Sequence, residues 1–412
     1  MALNWKRLLL VLGFLLVTIG IGVTIYFVFF RNVLGPPSGI QNINGVIFPP
    51  TNENRNVGVE PGNINALPNI NAAVGEPRPV ADGGPTQVVP IVSTLPGGAT
   101  LANNGRDLLY YDPRTGKFYQ ISPDGRTRTE LTPDIYPAAE KVTWAPLRDK
   151  AAIEFPDGSK FVYDFRKQQQ YTLAPEMEEI TFSPTGDKIS FKFIGDDPSD
   201  RFLVASNFDG TAATTIEPLA DKADQFDVSW SPIGNIVATF RESVDADRQR
   251  VIPIGLLGEN FQSFNVPGRG FQSTWSADGG LILFSVFRKD TGYNPNLYVA
   301  NGRSDSIGNN MINLDIQTWP EKCTFGSAAA LYCAVPQYLE QGAGLFPNLA
   351  SSVPDDFYRI DLTTGQKSLI ARPVNRDGES TYTASQLILS SDETVLYFFD
   401  QRTSQVQKIQ LK

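Results

Sequence analysis

The sequence predicts an all-β protein, a seven-bladed β-propeller of four antiparallel strands per blade, preceded by one transmembrane helix and a flexible tether. Three observations carry that prediction. Bulky anchor residues recur along the chain at Leu101, Trp144, Phe182, Trp230, Trp275, Phe325 and Leu389, at spacings of 43, 38, 48, 45, 50 and 64 residues. Around each anchor a β-rich triplet leads into a turn of Ser, Pro, Asp or Gly and then an alternating apolar run, the signature of a β-hairpin. No apolar spacing of 3.6 accompanies the repeat, so a helical solenoid of similar period is excluded.

From Leu8 to Phe30 the chain carries no charge in 23 residues. At 1.5 Å per residue this spans about 34 Å, enough for a hydrocarbon core of about 30 Å. Lys6 and Arg7 precede it and Arg31 follows. The positive-inside bias therefore places the N-terminus in the cytoplasm and the rest of the chain outside. A cleaved signal peptide would have an apolar run of about 7–15 residues ending at a small-x-small site. Here the nearest such site, Val33-Leu34-Gly35, would leave Pro36 after the cut. Residues 1–31 are read as an uncleaved signal anchor of a single-pass membrane protein.

Residues 32–85 are dominated by Asn, Gly and Pro, with sparse charge and no sustained periodicity. Such a segment cannot bury enough apolar surface to offset its ordering entropy, and it is read as a linker. Residues 86–412 hold the repeats. The best copies are "VTWAPLRDKAAIEF", "ITFSPTGDKISFKF", "VSWSPIGNIVATF" and "STWSADGGLILFSV"; weaker ones are "TLANNGRDLLYY", "CTFGSAAALYCAV" and "LILSSDETVLYFF". Third strands follow ("KFVYDF", "RFLVASNFDG", "NLYVANG", "FYRIDLTTG"), then fourth strands ("QQYTL", "ATTIEPL", "FQSFNV", "NMINL", "KSLIA"). Four short strands per period is the arithmetic of a propeller blade. The last copy ends at its third strand, so "TQVVPIVST" after the linker is expected to supply the fourth and close the ring. That strand would bring the tether in at the short-turn rim, with the loop-rich face directed away from the membrane. Because the outer copies are degenerate, six to eight blades remain open.

The Trp-Ser-Pro-x-Gly core at Trp230–Gly234, and its Phe variant at Phe182–Gly186, followed by "LYVAN"-type strands, resembles the TolB-like, WD-related β-propellers. The resemblance extends over about residues 86–412 and is closest to bacterial propellers carried on one N-terminal membrane anchor. It implies a binding platform rather than a particular chemistry. The first, sixth and seventh copies depart from the core, and the "GH…WD" signature of eukaryotic repeats is absent.

Composition removes much chemistry. There is no histidine, so no Ser-His or Cys-His triad can form, and no imidazole-based metal site can be built. Two cysteines cannot make a four-thiolate centre. A net charge of −9 argues against nucleic acid. No cofactor is expected. Calcium is the one ion suited to the acidic stretches Asp196, Asp197, Asp200 and Asp245, Asp247, but neither follows an EF-hand pattern, and both are read as solvated turns. The chain is read as a non-enzyme. The alternatives are an extracytoplasmic carbohydrate-active enzyme using loop carboxylates, or a structural subunit of an envelope complex.

Long, variable loops on a rigid ring are where binding tends to reside. The connections 194–200, 241–249, 288–296 and 335–356 share one rim with the crossings 132–141, 220–227, 316–322 and 373–383. Tyr136, Tyr293, Trp319, Tyr338, Leu345, Phe346 and Tyr382 fall in these loops and form the candidate binding face. Envelope or surface proteins, or glycans, are the expected partners.

Cys323 and Cys333 are symmetric about position 328 in the sixth hairpin and can face each other across its strands. Non-hydrogen-bonded partners have Cα atoms about 4.5 Å apart, within reach of a disulfide. An oxidising compartment would join them. Alkylation of the unreduced, denatured protein should label neither cysteine; two labelled thiols would overturn this pairing and weaken the extracytoplasmic placement.

Overall fold

The computed structural model describes residues 76–412 apart from Ala328. The predicted anchor at 1–31 and most of the 32–85 linker lie outside the described residues. Among the described residues no helix is long and apolar enough to cross a membrane.

The chain forms seven sheets arranged as the blades of a propeller. Blade 1 is Ala99–Leu101, Leu108–Asp112, Lys117–Ile121 and Arg128–Glu130; blade 2 is Lys141–Trp144, Lys150–Glu154, Lys160–Asp164 and Gln169–Leu173. Blade 3 is Met177–Phe182, Lys188–Ile194, Arg201–Asn207 and Thr214–Pro218; blade 4 is Phe226–Val228, Ile236–Ser243, Gln249–Gly255 and Phe264–Val266. Blade 5 is Arg269–Trp275, Leu281–Phe287, Pro295–Asn301 and Ile312–Asn313. Blade 6 is Cys323–Phe325, Ala330–Pro336, Asp355–Asp361 and Lys367–Val374; blade 7 is Ala384–Leu389, Val395–Asp400 and Gln405–Gln410. All seven predicted anchors lie at the end of a first strand, Trp230 two residues beyond Val228.

Val89–Ser93 completes blade 7, pairing antiparallel with Gln405–Gln410 through Val89↔Lys408 and Ser93↔Gln405. One strand went unforeseen. Pro85–Gln87 adds a fifth strand to blade 6, parallel to Arg372–Val374. The linker's last residues are thus folded, forming a strap. Ala81 N–H donates to Gln410 (2.8 Å) and Gly83 N–H to Ile370 (2.9 Å), while Arg78 pairs with the far side of Pro85–Gln87. The expected entry at the short-turn rim is not where the described chain starts: Pro77 lies beside Gly378 in the blade 6-to-7 crossing, on the loop-rich rim.

The sequence motif has a local physical cause. In blades 3, 4, 5 and 7 the residue after the anchor is a buried serine: Ser183, Ser231, Ser276 and Ser390. Each hydroxyl accepts the N–H five residues on, from Lys188, Ile236, Leu281 and Val395, at 2.9–3.3 Å. That bond closes the hairpin turn from within. The turn then requires one left-handed residue, and all seven hairpins have one: Gly105, Arg148, Gly186, Gly234, Gly279, Ala329 and Glu393. Glycine fills four of these positions because it alone takes positive φ without a Cβ penalty.

Apolar residues cluster between blades rather than within them. Trp144 of blade 2 stacks on Phe165 at 5.4 Å and meets Phe118 of blade 1 edge-on at 5.4 Å. Phe182 packs with Ala152 and Val162 of blade 2, and Trp230 with Leu203 of blade 3. Val92, from the closing strand, joins Leu108 and Tyr110 of blade 1 with Tyr397 of blade 7.

Two substitutions test the turn. A Cβ on Gly186 meets nothing nearer than Ala145 at 3.6 Å, so space is adequate and backbone strain alone operates. Gly186→Ala should therefore cost about 1–2 kcal/mol in urea unfolding. Ser276→Ala removes the Leu281 partner at 2.9 Å and should cost about 1–3 kcal/mol. Unchanged unfolding midpoints would refute the turn mechanism.

Candidate functional site

The longest connection, residues 337–354, rises from blade 6 on the loop-rich rim. Its neck is fixed on both sides. Gln337 N–H donates to the Pro354 carbonyl at 2.9 Å, closing the base. From the blade 5-to-6 crossing, Thr318 donates its hydroxyl to the Ala334 carbonyl at 2.7 Å. From the blade 6-to-7 crossing, Thr383 donates its hydroxyl to the Val353 carbonyl at 3.0 Å.

Further out, the loop leans on blade 5. Gly342 N–H donates to Gly292 and Gly344 N–H to Tyr293, both at 2.8 Å, and Ala343 N–H donates to Asn294 Oδ1 at 3.2 Å. Beneath it Trp319, Ala343 and Ala350 form a small buried core, with Leu339 against it. Gly344 is required by crowding: a Cβ there would lie 2.6 Å from the Tyr293 carbonyl oxygen and 2.7 Å from Phe287. The apex is the single-turn 3₁₀ helix Pro347–Ala350 with the residues before it. It leaves Leu345, Phe346 and Leu349 at 47%, 62% and 36% exposure within five residues. Isolated exposed apolar residues are ordinary, as at Leu257; three in one fixed turn form a patch.

A charged cluster underlies the platform. Lys322, at the start of blade 6, places Nζ 2.8 and 2.7 Å from the two oxygens of Asp355. Ala384 N–H of blade 7 donates to the same carboxylate at 2.7 Å, and Asp355 N–H donates to the Tyr382 carbonyl at 3.0 Å. Both side chains are buried. Full burial pushes the Asp355 carboxyl up, opposed by the Lys322 ammonium and the Ala384 N–H. Burial likewise raises Asp356, opposed by the Gln337 amide and the Arg372 guanidinium.

The structure gathers Tyr293, Trp319, Tyr338, Leu345, Phe346 and Tyr382 in or beside this platform, but not all as contact residues. Trp319 is buried and supports the loop. Tyr382 is part-buried, 6.0 Å from the Phe398 ring. Tyr293 holds positive φ and anchors Gly344 through its carbonyl. Tyr136 belongs elsewhere: it is buried between blades 1 and 2, its ring against Tyr163 and its carbonyl accepting the Tyr111 hydroxyl at 2.6 Å. Leu345 and Phe346 face solvent. Sequence reasoning missed Leu349, which the three-residue spacing from Phe346 could have flagged, and the Lys322–Asp355 pair, whose partners are 33 residues apart.

The cysteines pair as expected. Cys323 and Cys333 face each other in register with Cα atoms 4.1 Å apart, and a disulfide joins them. The acidic stretches are locally engaged: Asp197 accepts from Ser199, and Asp245 from Arg248 and the Asp247 N–H.

No family model matches the chain, and no curated protein matches it. Solved structures do. Oligogalacturonate lyase in complex with manganese aligns at a TM-score of 0.53 and 12% identity, covering 78% of this chain and 90% of that one. The Myceliophteria thermophila Cps50 (Swd1) β-propeller domain aligns at 0.51 and 8%, covering 79% and 100%. At such identities the likeness is one of fold. It is a β-propeller fold that serves both an enzyme and a WD-type domain.

The buried pair gives a direct test. Lys322→Met leaves an unpaired buried carboxylate and should cost about 3–5 kcal/mol, whereas Lys322→Met with Asp355→Leu should recover most of that loss. Equal losses in the two variants, measured by urea unfolding, would refute a compensated charge pair.

Proposed function

We propose that this protein is a membrane-anchored, extracytoplasmic interaction module of the TolB-like, WD-related kind, and that it engages an envelope or surface protein through the 337–354 platform. One observation carries the reading: a loop packed on Trp319 of one neighbouring blade crossing and held at Val353 by Thr383 of the other leaves Leu345, Phe346 and Leu349 out to solvent. A pre-ordered apolar anchor loses little entropy on docking, which is the economy of a binding hot spot. The uncharged stretch Leu8–Phe30 and the Cys323–Cys333 disulfide support the extracytoplasmic, anchored placement.

A carbohydrate-active enzyme is the second reading, favoured by the raised carboxyls of Asp355 and Asp356. Both are occupied, however, by Lys322 and by Arg372 with Gln337. As consecutive residues of one strand they point to opposite faces, so they do not converge as an acid–base pair. Binding is the better-supported role.

Crosslinking in intact cells, comparing wild type with Leu345→Asp/Phe346→Asp, tests the face. The crosslinked partner set should disappear, consistent with a loss of about 2 kcal/mol or more per hot spot. Leu257→Asp, on the opposite rim, should leave it unchanged. A partner set retained by the double variant would sink the assignment.

A further inference from the structure

A second site lies on the opposite rim, at the seam where blade 7 meets blade 1. A half-open cleft of about 450 Å³ lies there, lined by Arg106, Asp107, Pro123, Thr127, Val395 and Gln410 among others; ligand pockets run from about 300 to 1,000 Å³. Its walls are held by bonds across the seam. Ser391 N–H donates to the Gly105 carbonyl at 2.8 Å, Tyr397 Oη to the Arg106 carbonyl at 3.1 Å, and Lys408 Nζ to the Pro123 carbonyl at 2.9 Å. Arg106 reaches Asp392 with Nε and Nη2 at 3.1 and 2.9 Å. The cleft therefore has a fixed shape.

Those bonds leave a specific set of groups over. Arg106 Nη1 has no hydrogen-bond partner among the described residues, because Nε and Nη2 serve Asp392. Asp107 uses Oδ2 for Gln120 at 2.6 Å, leaving Oδ1 as acceptor. Gln410 spends its Nε2 on Thr394 and Lys412, leaving its oxygen. The Thr127 hydroxyl, donor and acceptor in one, lines the cleft and makes no hydrogen bond among the described residues. Pro123 and Val395 supply apolar surface between them.

Carboxylate and amide oxygens accept from hydroxyls, a guanidinium N–H donates to a ring or hydroxyl oxygen, and an apolar strip receives a C–H face. Phosphates, sulfates and uronates are disfavoured, since the cations around the cleft are already committed: Arg106 is paired with Asp392, Arg126 lies beside Asp124, and Lys408 donates to the Pro123 carbonyl, while Asp107 stands in the lining. A flat apolar ligand would strand the polar groups. We infer that the cleft between blades 7 and 1 is a binding site for a neutral saccharide, separate from the loop-rich face.

The test is saturation-transfer NMR on the full-length protein in a detergent without a sugar head group. The probes are maltose, cellobiose, lactose and diacetylchitobiose, with digalacturonate as the anionic comparison. At least one neutral disaccharide should receive saturation, and Asp107→Asn/Thr127→Val should reduce it at least fivefold. Thr127→Val alone, which keeps its backbone bond to Ser122, should move the signal in the same direction if the double variant folds poorly. Leu345→Asp/Phe346→Asp should leave it intact. Transfer to none of the neutral sugars would overturn the inference. So would transfer that persists in both cleft variants, that vanishes with the loop variant, or that is as strong for digalacturonate.

Discussion

No blade of this ring has a core of its own. Each sheet is covered on its faces only by its neighbours, and the main apolar clusters are shared across adjacent blades: Trp144 with Phe118, Phe182 with Val162, Trp230 with Leu203. Stability in such an array resides in nearest-neighbour interfaces. A linear stack would leave two raw faces, so blade 7 must meet blade 1. The Val92 contact with Leu108, Tyr110 and Tyr397 is that meeting point, and the Val89–Ser93 pairing makes it by main-chain bonds. Hairpin turns, rim loops and both candidate sites depend on this closure for their positions.

The sequence made the repeat legible because the repeat is local. A serine hydroxyl capturing an N–H five residues on, and a left-handed turn residue, lie within one hairpin and leave a readable string. The disulfide was legible for the same reason, as a symmetric pair across one turn. What stayed hidden depends on distant neighbours. Pro85–Gln87 begins with proline, is three residues long and pairs in parallel, so no alternation announces it. Lys322 and Asp355 meet only once blade 6 is folded.

The candidate site shows the same division. Loop position could be read from strand order, since alternate connections of an antiparallel blade fall on opposite rims. Loop conformation could not. Trp319 is an aromatic in a rim loop like any other until Ala343 and Ala350 fold over it, and Tyr136 turns inward because Tyr111 and Tyr163 hold it there. Leu345 and Phe346 remain outside because Gly344 has no room for a side chain, and its backbone is bound to Tyr293. Exposure along this face is thus decided by tertiary contacts, from blade 5 at Gly344, from the loop itself at Trp319 and from blades 1 and 2 at Tyr136, not by residue type.

The strap has a mechanical consequence. Tension applied to the chain ahead of Glu76 does not reach the closing strand first. It is taken up by Arg78 on Pro85 and Gln87, Ala81 on Gln410, Gly83 on Ile370, and then the parallel pairing of Pro85–Gln87 with Arg372–Val374. These bonds run over the outer edges of the last two blades and must fail before Val89 feels any pull. The strap therefore acts as a strain relief, letting the attachment yield while the ring stays shut.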